Sequence, residues 1–192
     1  MIGSGGVLVV LAGTSGAGKG TIGRKLREQD PGLRWSVSWT TRAARPDETP
    51  DVDYHFVTRE EFEKLRDADG FLEWFEVYGD LKGTPRQFVE DALAEGYDVM
   101  LELDVHGALA VRRAIPDAFL VFVRAPSRDE QRRRLEGRAS DGPDAIERRL
   151  ARAEEEEQVA AEQFDAVIVN DDVDRAVAEL TAILESRRKD PH

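Results

Sequence analysis

Cysteine is absent from the chain, which excludes disulfides and thiolate metal sites and fits a reducing compartment. Only three histidines occur; they form no metal-binding cluster, and no nucleophile–base pair stands out. Long hydrophobic runs are missing too: none approaches the ~20 residues of a membrane span. The N-terminus shows no basic stretch followed by an apolar one and a small-residue cleavage site, so the expected location is cytoplasmic. Cations are in the minority, 27 Lys and Arg against 39 Asp and Glu, for a formal net charge of -12. That balance argues against a broad nucleic-acid surface. Phosphate ligands must instead be caught by local clusters of cations inside a repulsive field. What remains, 192 residues of 41% hydrophobic and 34% charged composition without repeats, reads as one domain with a sizeable core and room for a small lid.

One stretch carries a definite chemistry. Gly13-Thr14-Ser15-Gly16-Ala17-Gly18-Lys19-Gly20-Thr21 follows directly on the apolar run Val7–Ala12. A buried strand feeding a glycine-rich turn and then a helix makes a phosphate cradle. Glycines let backbone N–H groups converge on an anion, and the helix N-terminus adds partial positive charge. Lys19 is placed to reach the β- and γ-phosphates of a nucleoside triphosphate. The spacing fits a P-loop except at Gly20, where Ser or Thr is usual. The missing hydroxyl predicts Mg²⁺ held mainly by phosphate oxygens and water, with Thr21 at the α-phosphate.

Short apolar runs at Asp98–Leu103, Phe119–Val123 and Val167–Val169 alternate with helix-compatible segments, the mark of an α/β fold with a parallel sheet wrapped by helices. Between them Trp35–Ser38, Tyr54–Val57 and Phe71–Val77 read as short strands, and Glu60–Ala68 as a helix, forming a small mixed block beside the main sheet. The turn-rich Gly137–Pro143 separates two arginine-bearing helices, the second running to Gln163. Within it Glu154–Glu157 reads as a solvated face, and the tail Arg187–His192 is expected to fray.

The segment Ser36–Pro46 leaves a strand and enters a loop carrying Arg42 and Arg45, with Tyr54 in the next strand. Two guanidinium forks and a phenol suit a second phosphate, although both also read as ordinary loop arginines. Glu73 lies inside an apolar strand, while Glu102 and Asp104 alternate at a strand end, hence on one face, where open α/β sheets collect ligands. One of them could take a Walker-B-like magnesium role, or Glu102 could do so while Asp104 reads a base. Glu73 could equally pair with a surface arginine, and Thr84 could cap the helix beginning at Pro85.

In combination, Gly13–Thr21, Ser36-Val37-Ser38 with Thr40-Thr41-Arg42 and Arg45, Asp53-Tyr54-His55-Phe56, Phe71-Leu72-Glu73-Trp74 and Gly83-Thr84 stand in the order of guanylate kinases. Leu103-Asp104-Val105-His106-Gly107, Pro126-Ser127 and Val167–Asp172 continue it, so the chain resembles that family over about residues 7–185. The resemblance implies a P-loop kinase fold: a core of about 5–34 and 85–188, a GMP-binding subdomain of about 35–84 and an ATP lid of about 127–150. It implies the reaction ATP + GMP → ADP + GDP, with dGMP as a second acceptor and Mg²⁺ accompanying ATP. ATP contacts fall on Gly13, Thr14, Ser15, Gly16, Ala17, Gly18, Lys19, Gly20, Thr21 and Asn170. Arg42, Arg45 and Tyr54 match GMP-phosphate ligands, and Ser38, Glu73, Thr84 and Asp104 match guanine-reading positions. Lys19, Arg134, Arg138 and Arg149 are the implied catalytic cations, Arg132 and Arg133 merely solvate their helix, and Glu102 is the one candidate metal ligand.

The chemistry is coherent. Guanine offers N1–H and a 2-amino group to carboxylates such as Glu73 and Asp104, and its O6 accepts from a hydroxyl such as Thr84; adenine leaves those carboxylates unpaired. A phosphate monoester with a second pKa of ~6 is largely dianionic, so the acceptor needs no general base. Nucleotides are the implied partners, with neither nucleic acid nor membrane, and the oligomeric state stays open. Two further departures from the family pattern stand out: Lys82 where a tyrosine is common, either charging the GMP phosphate site or pointing to solvent, and Ala139 where glycine usually follows the lid arginine. A kinase of the same fold for another phosphorylated acceptor, such as a ribose bisphosphate, and a non-catalytic phosphopeptide-binding module are the alternatives. Lys19 and the lid arginines speak against the second, and Glu73, Thr84 and Asp104 against the first.

Overall fold

The apolar run after the N-terminus forms strand β1 (Leu8–Gly13), every residue of which is buried. The structure is a computed structural model describing residues 6–45, 48–77, 79–137 and 142–189. After β1 come α1 (Lys19–Gln29), β2 (Arg34–Trp35), β3 (Trp39–Thr40), β4 (His55–Phe56) and α2 (Arg59–Asp67). Then follow β5 (Phe71–Val77), β6 (Asp80–Pro85), α3 (Arg86–Ala94), β7 (Val99–Glu102) and α4 (Val105–Ala114). The chain continues through β8 (Phe119–Arg124), α5 (Arg128–Glu136), α6 (Pro143–Gln163), β9 (Ala166–Val169) and α7 (Val173–Lys189).

Five strands form a parallel sheet in the order β2-β7-β1-β8-β9. Side chains alternate across it. Val9 and Leu11 face Ile22 and Leu26 of α1 with Leu180 and Leu184 of α7, whereas Leu8 and Val10 face Val89 and Leu93 of α3 with Val111 of α4. Coverage on both faces explains why β1 reads as a continuous apolar run rather than an alternating one. Because β1 sits between β7 and β8, its carboxyl end opens at a reversal of strand order, where α/β sheets bind ligands.

The smaller sheet is mixed, in the order β4-β3-β6-β5. Phe62 of α2 stacks on Phe71 of β5 with ring centroids 4.3 Å apart, and Leu81 of β6 completes this separate core. Thr58 and Glu61 close a reciprocal capping box at the start of α2.

Three expectations change, and one strand is added. The strand anticipated over Trp35–Ser38 is cut short: of it only Trp35 is in a strand, paired with Met100 in the large sheet, and the small sheet begins after it, at Trp39 paired with His55. Asp80–Pro85, given no element in the sequence reading, is a full strand against β5. Glu156 is not solvated but 8% exposed and held by Arg152, because it falls on the buried stripe of α6. Arg187–Lys189 continue α7, whose Arg188 ties Asp30 and Asp98 at 2.6 and 2.5 Å.

Candidate functional site

Two clefts flank the carboxyl end of β1 and β7. The first, of about 730 Å³, is bounded by the glycine-rich loop and by Arg148, Arg149, Arg152 and Glu156 of α6. Lys19 bends back to donate from Nζ to the Gly13 carbonyl at 2.7 Å. Burial pulls its ammonium below the ordinary lysine range, opposed chiefly by Glu102 and then Glu156. Gly18 is obligatory here: its φ is +89°, and a Cβ would lie 2.3 Å from Asn170 Nδ2. Arg149 Nη1 donates to Ser15 Oγ at 2.9 Å, linking α6 to the loop.

A second layer braces the loop from behind. Gln131 of α5, wholly buried, donates from Nε2 to Thr14 Oγ1 at 3.1 Å and to the Ser15 carbonyl at 2.8 Å. The Ala17 carbonyl accepts from Asn170 Nδ2 at 2.7 Å and Arg134 Nη1 at 3.4 Å. Arg134 also donates to the Asn170 carbonyl and to Glu130 one turn earlier. Asn170 and Arg134, expected at the nucleotide, therefore act on the loop backbone and line neither cleft. Thr21 is exposed and lines neither cleft, and Arg138 lies outside the described residues.

The second cleft, of about 630 Å³, is lined by Ser36–Ser38, Tyr54, Lys82, Glu102 and Asp104 among others. Behind Asp104 and Lys82, and not itself among the lining residues, Glu73, 5% exposed, accepts from Thr84 Oγ1 at 2.6 Å through Oε1. Its Oε2 is buried with no partner among the described residues. Pro85, not Thr84, occupies the N-cap of α3, so the threonine hydroxyl serves Glu73 instead of the helix. Burial pushes the Glu73 carboxyl up to about 7, against the Thr84 hydroxyl and Lys82. Asp104 caps α4 by accepting from Gly107 N at 2.8 Å. A Cβ on Gly107 would lie 3.4 Å from both Asp104 Oδ1 and Glu73 Oε2, so the two carboxylates converge on one spot.

Towards the outer end, Lys82 Nζ donates to Tyr54 Oη at 3.2 Å, and the Arg42 guanidinium lies 4.9 Å from the Tyr54 ring centroid. Lys82 thus points into the cleft rather than to solvent. Arg42 forms a two-bond pair with Glu48 at 2.7 and 2.5 Å; neither Arg42 nor the exposed Arg45 lines the cleft, which Arg42 borders through Glu48 and Tyr54. Lys19, Gly20, Glu102 and Asp104 border both clefts, which are continuous at that point. Among the described residues no trio of His, Asp or Glu is arranged to hold a metal by itself.

Sequence reasoning missed Gln131, Arg152, Glu156 and Glu48, along with Arg24 and Arg27 of α1, which also border the second cleft. Helical periodicity would have found Arg152, one turn after Arg149 on α6, and Glu156, on the buried stripe of the same helix. Nothing local marks the others.

A parallel sheet carrying a P-loop at its central strand, with a donor cleft running into an acceptor cleft on a small mixed sheet, defines a P-loop kinase. The family model "Guanylate kinase" matches residues 6–187. The chain belongs to the guanylate kinase family. It is 50% identical over 183 residues to a guanylate kinase of Symbiobacterium thermophilum, covering 95% of this chain and 86% of that one. It is 51% identical over 179 residues to one from Rubrobacter xylanophilus, covering 93% of each. The crystal structure of guanylate kinase from Anaplasma phagocytophilum superposes with a TM-score of 0.78 at 34% identity, covering 96% and 87% of the two chains. Shikimate kinase from Bacteroides thetaiotaomicron, at TM-score 0.50 and 17% identity over 93% and 98%, shares the fold.

Proposed function

We propose that this enzyme transfers the γ-phosphoryl group of ATP to GMP, giving ADP and GDP. The observation that carries the reading is the approach of Glu73, bonded to the Thr84 hydroxyl, and Asp104 to the same point of α4, next to a cleft that shares Lys19, Gly20, Glu102 and Asp104 with the P-loop cleft. Two neighbouring carboxylates fit the N1–H and 2-amino donors of guanine: Glu73 Oε2 is unpartnered and ready to accept, while Asp104 keeps Oδ1 on Gly107 N and has Oδ2 3.7 Å from Arg152. The guanine end rests on these residues and Ser38, the acceptor phosphate on Arg42, Tyr54 and Lys82 with Arg45 at the rim. Residues of about 35–84 serve as the acceptor subdomain and about 127–150 as the lid.

Lys19 and Arg149 border the triphosphate channel and neutralise charge on the group in flight, Arg134 keeping the loop in shape. In-line positioning then does most of the work, since the dianionic acceptor brings no proton that must be removed. A divalent cation fits the junction: Glu102 is one carboxylate at the mouth of both clefts, suited to Mg²⁺ that keeps waters and phosphate oxygens as its other ligands. Bound there, Mg²⁺ supplies charge neutralisation on the phosphates. No helix among the described residues is long and apolar enough to cross a membrane; a cytoplasmic setting remains the reading of the sequence.

The test is ATP-dependent phosphorylation of GMP, dGMP, AMP, CMP, UMP and ribose 1,5-bisphosphate side by side. Turnover of GMP and dGMP with AMP slower by at least about 10³-fold in kcat/KM is expected. Comparable use of AMP or ribose 1,5-bisphosphate would sink the guanine reading.

A further inference from the structure

The loop that carries the acceptor arginines contains a carboxylate with three separate ties. Glu48 Oε2 accepts from Arg42 Nη1 at 2.7 Å and from the Arg45 backbone N at 2.9 Å, and Oε1 accepts from Arg42 Nη2 at 2.5 Å. The pair is not a loose surface contact: the Arg42 and Glu48 side chains are 23% and 12% exposed, and Glu48 itself borders the acceptor cleft. Hydrogen bonding to Arg42 holds the carboxyl below its usual range, so it stays ionised at neutral pH.

The donors of Arg42 can be followed one by one. A guanidinium has five N–H groups, in a terminal fork and along a lateral edge. Nη1 is spent on Glu48 and on the Ala43 carbonyl at 2.9 Å, and Nη2 gives one hydrogen to Glu48. Left over by these carboxylate and carbonyl contacts are Nε–H and the second Nη2 hydrogen, the lateral edge; the one further side-chain hydrogen-bond partner of Arg42 among the described residues is the Tyr54 phenol. The guanidinium lies over the Tyr54 ring, whose hydroxyl receives the Lys82 ammonium.

We infer that Glu48 is a positioning residue for the acceptor phosphate: it grips the terminal fork of Arg42 and the backbone at Arg45, leaving the lateral edge of Arg42 for a phosphate shared with Tyr54 and Lys82. The inference rests on the acceptor reading above. It also selects against an obvious rival, in which the Glu48 carboxylate sits in the phosphate's own place and competes with it. Competition would require the fork to be released, whereas the lateral edge can take a two-point hydrogen bond with Glu48 still in place.

Steady-state kinetics on Glu48→Gln, Arg42→Gln and the double variant, in the full chain, decide between these. Glutamine keeps the shape but loses the charge and one of the two acceptors for the fork. Glu48→Gln should raise KM for GMP about tenfold while leaving kcat and KM for ATP within about twofold. In the Arg42→Gln background the second substitution should add nothing, because Glu48 acts through Arg42. A KM for GMP that is unchanged or lowered in Glu48→Gln, or a fully additive double variant, overturns the inference while the acceptor site stands. If Arg42→Gln alone leaves KM for GMP unaltered, the acceptor assignment itself falls and takes the inference with it. Thermal melting without nucleotide checks folding; should Glu48→Gln not fold, Glu48→Asp, one methylene shorter, must show the same KM-specific loss.

Discussion

Replacing Glu73 by glutamine separates what this residue costs the fold from what it does for the ligand. Its carboxyl ordinarily titrates at 4.5 and is pushed to about 7, first of all by burial. That difference corresponds to about 3 kcal/mol between the two protonation states. The folded protein holds the proton more tightly than the unfolded chain does. The native state is therefore fully favoured by protonation below 4.5, and that advantage is lost as pH rises through about 7. Glutamine carries no charge and can still accept from Thr84. At pH 8 Glu73→Gln should be more stable than the parent by up to about 3 kcal/mol, or about 6–12 °C in Tm for a chain of this size. At pH 5 the gain should shrink below about 1 kcal/mol. The same substitution turns an amide towards the guanine donors and should raise KM for GMP at least about 100-fold. In the parent enzyme kcat/KM for GMP should fall on the acid side of about 7, since the base needs the ionised carboxylate. Calorimetric melts of both proteins at pH 5 and pH 8, without nucleotide, provide the measurement. An equal Tm difference at the two pH values, or a variant less stable at pH 8, would refute the reasoning.

Three further outcomes are expected. Lys82→Ala removes the ammonium beside Tyr54 and should raise KM for GMP while leaving KM for ATP nearly unchanged; equal effects on both substrates would discard that role. Gln131→Ala strips the loop of the donor to Thr14 and Ser15 and should destabilise the protein by about 1–3 kcal/mol and raise KM for ATP but not for GMP, seen by melting and by varying each substrate in turn. Gly20→Ser is sterically open, a Cβ there meeting Glu102 Oε1 at 3.7 Å, and should tighten divalent-cation binding in a Mn²⁺ titration with no gain in kcat. A structure with Thr21 on the metal would contradict the last of these.

The parts of this molecule that were legible in its sequence are those where local pattern and tertiary role coincide. β1 and the glycine-rich loop announce themselves because a strand buried on both faces must be apolar throughout and a phosphate cradle must be small-sided. Glu73 was visible as a carboxylate inside an apolar strand, which has to be either an error or a site. β6 was hidden because Gly83 and Pro85 are loop residues by local preference, and only pairing with β5 makes the segment extended. Glu156 was legible yet overlooked. Ile146, Leu150, Ala153, Glu156 and Ala160 follow each other at three- and four-residue steps, so the glutamate run crosses the buried stripe of α6 at that residue alone. The loop contacts of Arg134 could not be read from spacing. A guanidinium aimed at backbone carbonyls of a distant loop leaves no periodic trace.

The chain passes from the large sheet to the small one through only three residues. Ser36 N donates to the Met100 carbonyl on the large-sheet side at 3.1 Å, and the Ser38 carbonyl accepts from His55 N on the small-sheet side at 2.9 Å. Ser36, Val37 and Ser38 are also walls of the acceptor cleft. One of the two connections between the sheets is thus also a wall of the acceptor cleft. Were the angle between the sheets to change, these three residues would have to move with it, and a substitution that stiffens them should be felt first in how quickly the acceptor leaves.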